Sequence, residues 1–165
     1  MKHLKMFLAL LLVSGAAKAA YDANGVGLGA DEAAIKKQFP SAHCKPLEWT
    51  SRAADRRCDD AKVAVGGVES RVTFYLRGNV VQGFDLRFET RDVDRLAAYL
   101  KTRYGKPAAE TREKVQREGQ QPREIYKVRW ENGADRALLT AQLERRRASL
   151  SVSRGDFDDE IYRVR

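Results

Sequence analysis

Two cysteines, a histidine beside one of them and a run of acids near the C-terminus are the groups in this chain with the chemistry to hold a bond, a proton or a cation. Cys44 and Cys58 are the only cysteines, with 13 residues between them. In an exported chain an even count reads first as one disulfide. Closing so short a loop limits the unfolded chain by roughly 3 kcal/mol. Zinc is the rival, and it lacks ligands: beyond the leader His43 is the one histidine, and the spacing fits no zinc pattern. A C-x-x-C redox pair is absent. A nucleophilic Cys44 oriented by His43 would need the free thiol that the disulfide removes, so His43 reads as a loop residue.

Asp156, Asp158, Asp159 and Glu160 follow Gly155 and read either as a solvated acidic turn or as a weak cation site; the central Gly and the further ligands of an EF-hand are missing. Arg145-Arg146-Arg147 reads as a hairpin turn rather than a phosphate clamp. Gly27-x-Gly29 lacks the preceding strand and remaining glycine of a dinucleotide loop, and no Walker-type lysine follows a Gly-rich turn. The sequence therefore assigns no catalytic residue, no cofactor and no metal. Carboxylate pairs distant in sequence keep a small envelope hydrolase open as an alternative. Of the two tryptophans, Trp130 falls on the inward phase of a strand, whereas Trp49 has two readings of equal weight, core residue or exposed binding aromatic.

The elements that would position these groups follow from periodicity. Asp31 to Phe39 places acid first and base later, with Ile35 and Phe39 on one face, and Pro40 ends this helix. Residues 41–60 are irregular, organised by the disulfide rather than by regular pairing. Lys62 to Val65, a Gly66-Gly67 turn, then Val72, Phe74 and Leu76 predict strands. Gly78-Asn79 makes the next turn, before Phe84, Leu86 and Phe88. A second helix runs from about Asp92 to Tyr104, with Val93, Leu96, Ala97, Leu100 and Tyr104 on one stripe and Gly105 as its stop. Residues 108–122 have almost no apolar side chains and read as an exposed connection. Tyr126, Val128 and Trp130 open a second meander, Asn132-Gly133 signals a hairpin, and rows at Ala137 to Leu143 and Ala148 to Val152 complete it. The tail reads as a short final strand around residues 161–164.

The chain opens with Lys2 and Lys5, an apolar run from Met6 to Val13 and small residues to Ala20, the layout of a signal peptide cut after Ala19. The apolar run falls short of the roughly 20 residues that span a bilayer, and no Cys near the cut offers a lipid attachment point. Cleavage would lower the formal charge from +8 to about +5. Residues 20–165 then suit a single domain, soluble in the periplasm or secreted, with no transmembrane segment. Export removes the chain from most nucleic acid, which leaves a protein or an anionic envelope component as the partner of a mildly basic surface.

The expected fold is α+β, with helices packed on one face of an antiparallel sheet and two helix-plus-meander halves. Gly27-Leu28-Gly29-Ala30-Asp31-Glu32, the short helix ending in Phe39-Pro40, and the helix end at Leu100 with Tyr104-Gly105-Lys106-Pro107 resemble small envelope modules of the β-lactamase-inhibitory-protein and SmpA/OmlA types. That resemblance implies a binding module in the cell envelope and carries over no functional residue.

The opposite phase of the strands supplies the candidate binding face. Arg71, Tyr75, Arg77, Arg87, Lys127 and Arg129 alternate with the inward row and would form a cationic surface around an aromatic, with Trp49 as the next candidate. The functional expectation is a non-enzymatic binding or interaction module, inhibitor-like or an assembly partner. The alternatives are the carboxylate hydrolase and a carrier of a small apolar ligand held between helices and sheet.

Overall fold

The computed structural model describes residues 20–116 and 118–163; the expected signal peptide, residues 1–19, lies outside them. The class is α+β with strand dominant. Two two-residue strands, β1 (Asp22–Ala23) and β2 (Val26–Gly27), pair with each other and precede helix α1 (Glu32–Gln38). Asp31 caps α1 by accepting from the Ala34 N–H at 2.8 Å. Then come β3 (His43–Pro46), β4 (Arg56–Val65), β5 (Val68–Arg77) and β6 (Val80–Glu89). Helix α2 (Val93–Tyr104) leads to β7 (Ala109–Val115), β8 (Arg123–Asn132), β9 (Asp135–Gln142) and β10 (Arg147–Arg154), and α3 (Phe157–Glu160) follows.

β3 to β10 form one antiparallel sheet in the order β3-β4-β5-β6-β10-β9-β8-β7. Each meander is preceded by a helix, and the two meet where β6 pairs with β10. The Gly66-Gly67 and Gly78-Asn79 turns sit where the sequence places them, each with both residues at positive φ. This is the backbone hand that matches strand twist in a two-residue hairpin.

The inward row is Val72, Phe74, Leu76, Phe84, Leu86, Phe88, Tyr126, Val128, Trp130, Leu139, Leu150 and Val152, all buried. It shares one core cluster with Ile35 of α1 and with Val93, Leu96, Ala97 and Leu100 of α2. Trp130 donates to the Gly105 carbonyl at 2.9 Å, which ties the sheet to the end of α2. Tyr99 of α2 lies so close to the β4–β5 turn that a Cβ at Gly66 would stand 2.4 Å from its ring.

Four expectations need correction. Helices are not confined to one face: Phe157 and Ile161 join Tyr75 and Ala54 in a second buried cluster apart from the main core. Residues 41–60 contain regular pairing, because β4 begins at Arg56 and Cys44 stands directly opposite Cys58 in the β3–β4 register; the disulfide forms across that pair. Residues 108–122 are not only a connection. β7 is the sheet's edge strand, so its side chains do not alternate between core and water. Its charges are used instead on α2, where Lys101 donates to Glu110 at 2.8 Å and Arg112 to Asp94 at 2.7 Å. The tail, finally, forms α3 rather than a strand over its described residues.

Candidate binding face

The outer face of the sheet has a covered end and an open end. The cover is built from two segments that the sequence separates by more than a hundred residues. The loop from Leu47 to Asp55 connects β3 to β4, and the tail from Phe157 to Tyr162 follows β10. Trp49 Nε1 donates to the Ile161 carbonyl at 2.7 Å, and Ser51 Oγ to the Glu160 carbonyl at 3.1 Å. The Trp49 ring stacks on Tyr162 with centroids 6.0 Å apart. Below, Phe157 lies on Gly83, where a Cβ would stand 2.5 Å from its ring, and packs on Tyr75 at 5.6 Å. Glycine is required at position 83 because any larger residue would lift the tail off the sheet.

Each residue of the expected binding face has a definite place. Tyr75 is not an exposed aromatic: it is 5 % accessible under Phe157, its hydroxyl 3.1 Å from that of Tyr162. Burial pushes its phenol well above the ordinary value. Trp49 is half-buried and braces the tail. Arg77 donates to the Arg52 carbonyl and so belongs to the cover. Arg129 pairs with Glu131 at 3.4 Å.

Arg71, Arg87 and Lys127 remain exposed, and among the described residues none of the three forms an ion pair. They fall on one line across the sheet: Arg71 opposite Arg87, Arg87 opposite Ser149, Ser149 opposite Thr140, Thr140 opposite Lys127. Five neighbouring strands at about 4.8 Å spacing put roughly 19 Å between the ends of that line. The adjacent line runs Thr73, Asp85, Ser151, Leu138 and Arg129. Burial raises the Asp85 carboxyl above the usual carboxylate range, against the opposing effects of Ser151 and Arg87. Leu138 is 40 % exposed, an apolar patch beside the cations of the open end.

Among the remaining sequence candidates, Asp158, Glu160 and Arg146 have structural partners. Asp158 accepts from Ser153 Oγ at 2.6 Å and Glu160 from Arg163 at 3.0 Å, so the acidic turn works as a clasp holding α3 to β10. Among the described residues, one grouping of potential metal donors converges, Glu32 with Cys44 and Cys58. Its two sulfurs are bonded to each other and offer no thiolate. Arg146 donates to Glu89 at 3.0 Å, holding the Glu89 carboxyl below its ordinary value, and so spends the centre of the arginine run on the sheet. Among the described residues no helix is long and apolar enough to cross a membrane.

Phe157, Tyr162 and Arg57, which complete the covered end, are absent from the sequence reading. The signal available was the pair of aromatics in an otherwise charged tail. No family model, no curated protein and no solved structure matches the chain.

Proposed function

We propose that this chain is a binding module of an oxidising compartment, the periplasm or the cell exterior, and that it receives an acidic protein on the open outer face of its sheet. One observation carries the reading: Arg71 and Arg87 stand directly opposite each other and, among the described residues, form no ion pair, on a line that continues to Lys127. Like charges directly opposite in a sheet are destabilising. A partner carboxylate placed between them removes that cost, adds charge-assisted hydrogen bonds and gains from the bidentate fork of arginine. Ser149 and Thr140 between the cations are short, so an extended acidic segment can lie close to the sheet. The Cys44–Cys58 bridge suits the oxidising setting.

Binding to immobilised polyglutamate at low salt tests the reading. The wild-type protein should bind, and affinity should fall steeply as ionic strength rises. Replacing Arg71, Arg87 and Lys127 together by Ser should weaken binding at least tenfold, while replacing Lys37, Arg95 and Lys106 on other surfaces should leave it nearly unchanged. Equal losses in both triple variants would show that net charge alone is being read, and would sink the assignment of the face.

A further inference from the structure

At the boundary between the covered and open ends the outer face holds a recess of about 270 Å3 whose lining includes Arg57, Arg71, Arg87, Thr73, Trp49 and Tyr162. Its charges are unequal in availability. Arg57 lies over the Trp49 ring at 6.0 Å, with Nε 3.0 Å from Asp59 Oδ2. Asp59 also accepts from Thr73 Oγ1 at 2.8 Å, so this carboxylate is spent on the wall. Asp85 sits one line away beneath Tyr75 and Ser151. Glu69 lies two residues from Arg71 on the same strand and, like Glu89, lines the neighbouring hollow. Glu69 forms no ion pair among the described residues, and Glu89 is held by Arg146 and Arg91. Arg71 and Arg87 line both this recess and the neighbouring hollow, and among the described residues neither guanidinium forms an ion pair.

Tyr162 stands beside them, its hydroxyl 3.1 Å from that of the buried Tyr75. Tyr162 is 58 % exposed and lines the recess. The volume lies below the roughly 300–1,000 Å3 of drug-sized sites, enough for one sugar acid or one amino-acid-sized group.

We propose that this recess is a receptor for a single oxyanionic group, a carboxylate or phosphate on a body of about monosaccharide size, clamped by Arg71 and Arg87 and bounded by Tyr162. The proposal rests on the binding-face reading and deepens it, by naming what sits at one end of the cationic line. Carboxylate and phosphate share the required chemistry, two or three oxygens that match a guanidinium fork.

The chain has two tryptophans, Trp49 at the recess and Trp130 in the core, so a 15N-labelled sample carries two indole N–H signals that report the site and the fold separately. Titrations with inorganic phosphate, glucuronate and uncharged glucose at matched ionic strength should give a saturable shift of the Trp49 signal with at least one anion, no shift with glucose, and a still Trp130 signal. Which anion acts identifies the source of the oxyanion. Arg71→Gln and Arg87→Gln should each weaken the titration about tenfold or more, the loss expected for a charge-assisted contact, with Trp130 unmoved as proof of folding. Lys37→Gln, on the exposed side of α1 away from this face, should leave the titration unchanged. The proposal is overturned if neither anion shifts Trp49, if sodium chloride reproduces the shift, or if Arg87→Gln titrates like the wild type. Loss of polyglutamate binding in the triple Ser variant without any anion titration would keep the face and remove the recess. Anion titration without polyglutamate binding would do the reverse.

Discussion

The two ends of the outer sheet face are made of the same kind of strand yet live under different constraints. Around Tyr75 of β5, Gly83 of β6 and Ser153 of β10 the face is dry, with Phe157 on Tyr75 and Gly83 and the loop around Trp49 closing over the tail, whereas Arg71 and Arg87 farther along β5 and β6 stay exposed. Over β8 and β9 the same phase carries Lys127, Arg129, Thr140 and Leu138 toward solvent. The contrast teaches that strand phase decides which way a side chain points and leaves undecided whether that direction ends in water. The outward direction became a second core at one end because two aromatics in a late segment had somewhere to dock.

Removing the docking residue should break that contrast most severely. Phe157→Ala takes away a ring that is 5 % accessible and packed on both Tyr75 and Gly83. It should cost about 3–5 kcal/mol in denaturant unfolding, the usual range for Phe→Ala at a buried site. A loss under about 1 kcal/mol would mean the tail is a loose appendage.

A smaller, pH-dependent effect is expected at the junction of the two ends. Asp85 has a folded-state carboxyl raised by burial, so the native state binds its proton more tightly than the unfolded chain, whose aspartate titrates near about 3.9. Stability from this group is therefore lost as pH rises through that interval, and the cost persists at neutral pH. Asp85→Asn should melt higher than the wild type at pH 7, and the difference should vanish below about pH 3, where both states of the wild type are protonated. Thermal melts at both pH values decide it. A variant less stable at pH 7 would show instead that the ionised carboxylate is needed by Arg87 or Ser151.

The smallest effect belongs to the open end. Leu138→Ala removes more than half of an apolar side chain, as Phe157→Ala does, yet the stability change should stay within about 0.5 kcal/mol because Leu138 is already 40 % exposed. A cost near that of Phe157→Ala would erase the distinction between the two ends.

Much of the inner architecture was legible because alternation at period two and the stripe on α2 are local signals. Phe74, Leu86, Val128 and Trp130 point to the core that their phase predicts, and both tight turns announce themselves through Gly66-Gly67 and Gly78-Asn79. β7 was missed for a physical reason. An edge strand buries neither face fully, so Glu110, Arg112, Glu113 and Lys114 show no alternation to read. The candidate face was legible in part. The outward set contains Arg71, Arg87 and Lys127, but sequence alone could not separate them from Tyr75, Arg77, Arg129 and Trp49, whose partners come from distant segments. The bond from Trp49 to Ile161 joins residues 112 apart in the chain. No window of local pattern reaches that far.

The pairing of β6 with β10 also sets an order of assembly. β6 ends at Glu89 and its outer partner begins at Arg147, so while the chain is being made the first meander must wait with β6 as an unpaired margin until the last strand exists. Joining the two margins closes a long stretch of chain at once, a slow and late event relative to the neighbouring hairpins. Truncation before Arg147 would leave β6 and β9 both open, two sticky borders in place of one continuous sheet. The middle of this molecule is therefore its last part to form and its first opportunity to aggregate.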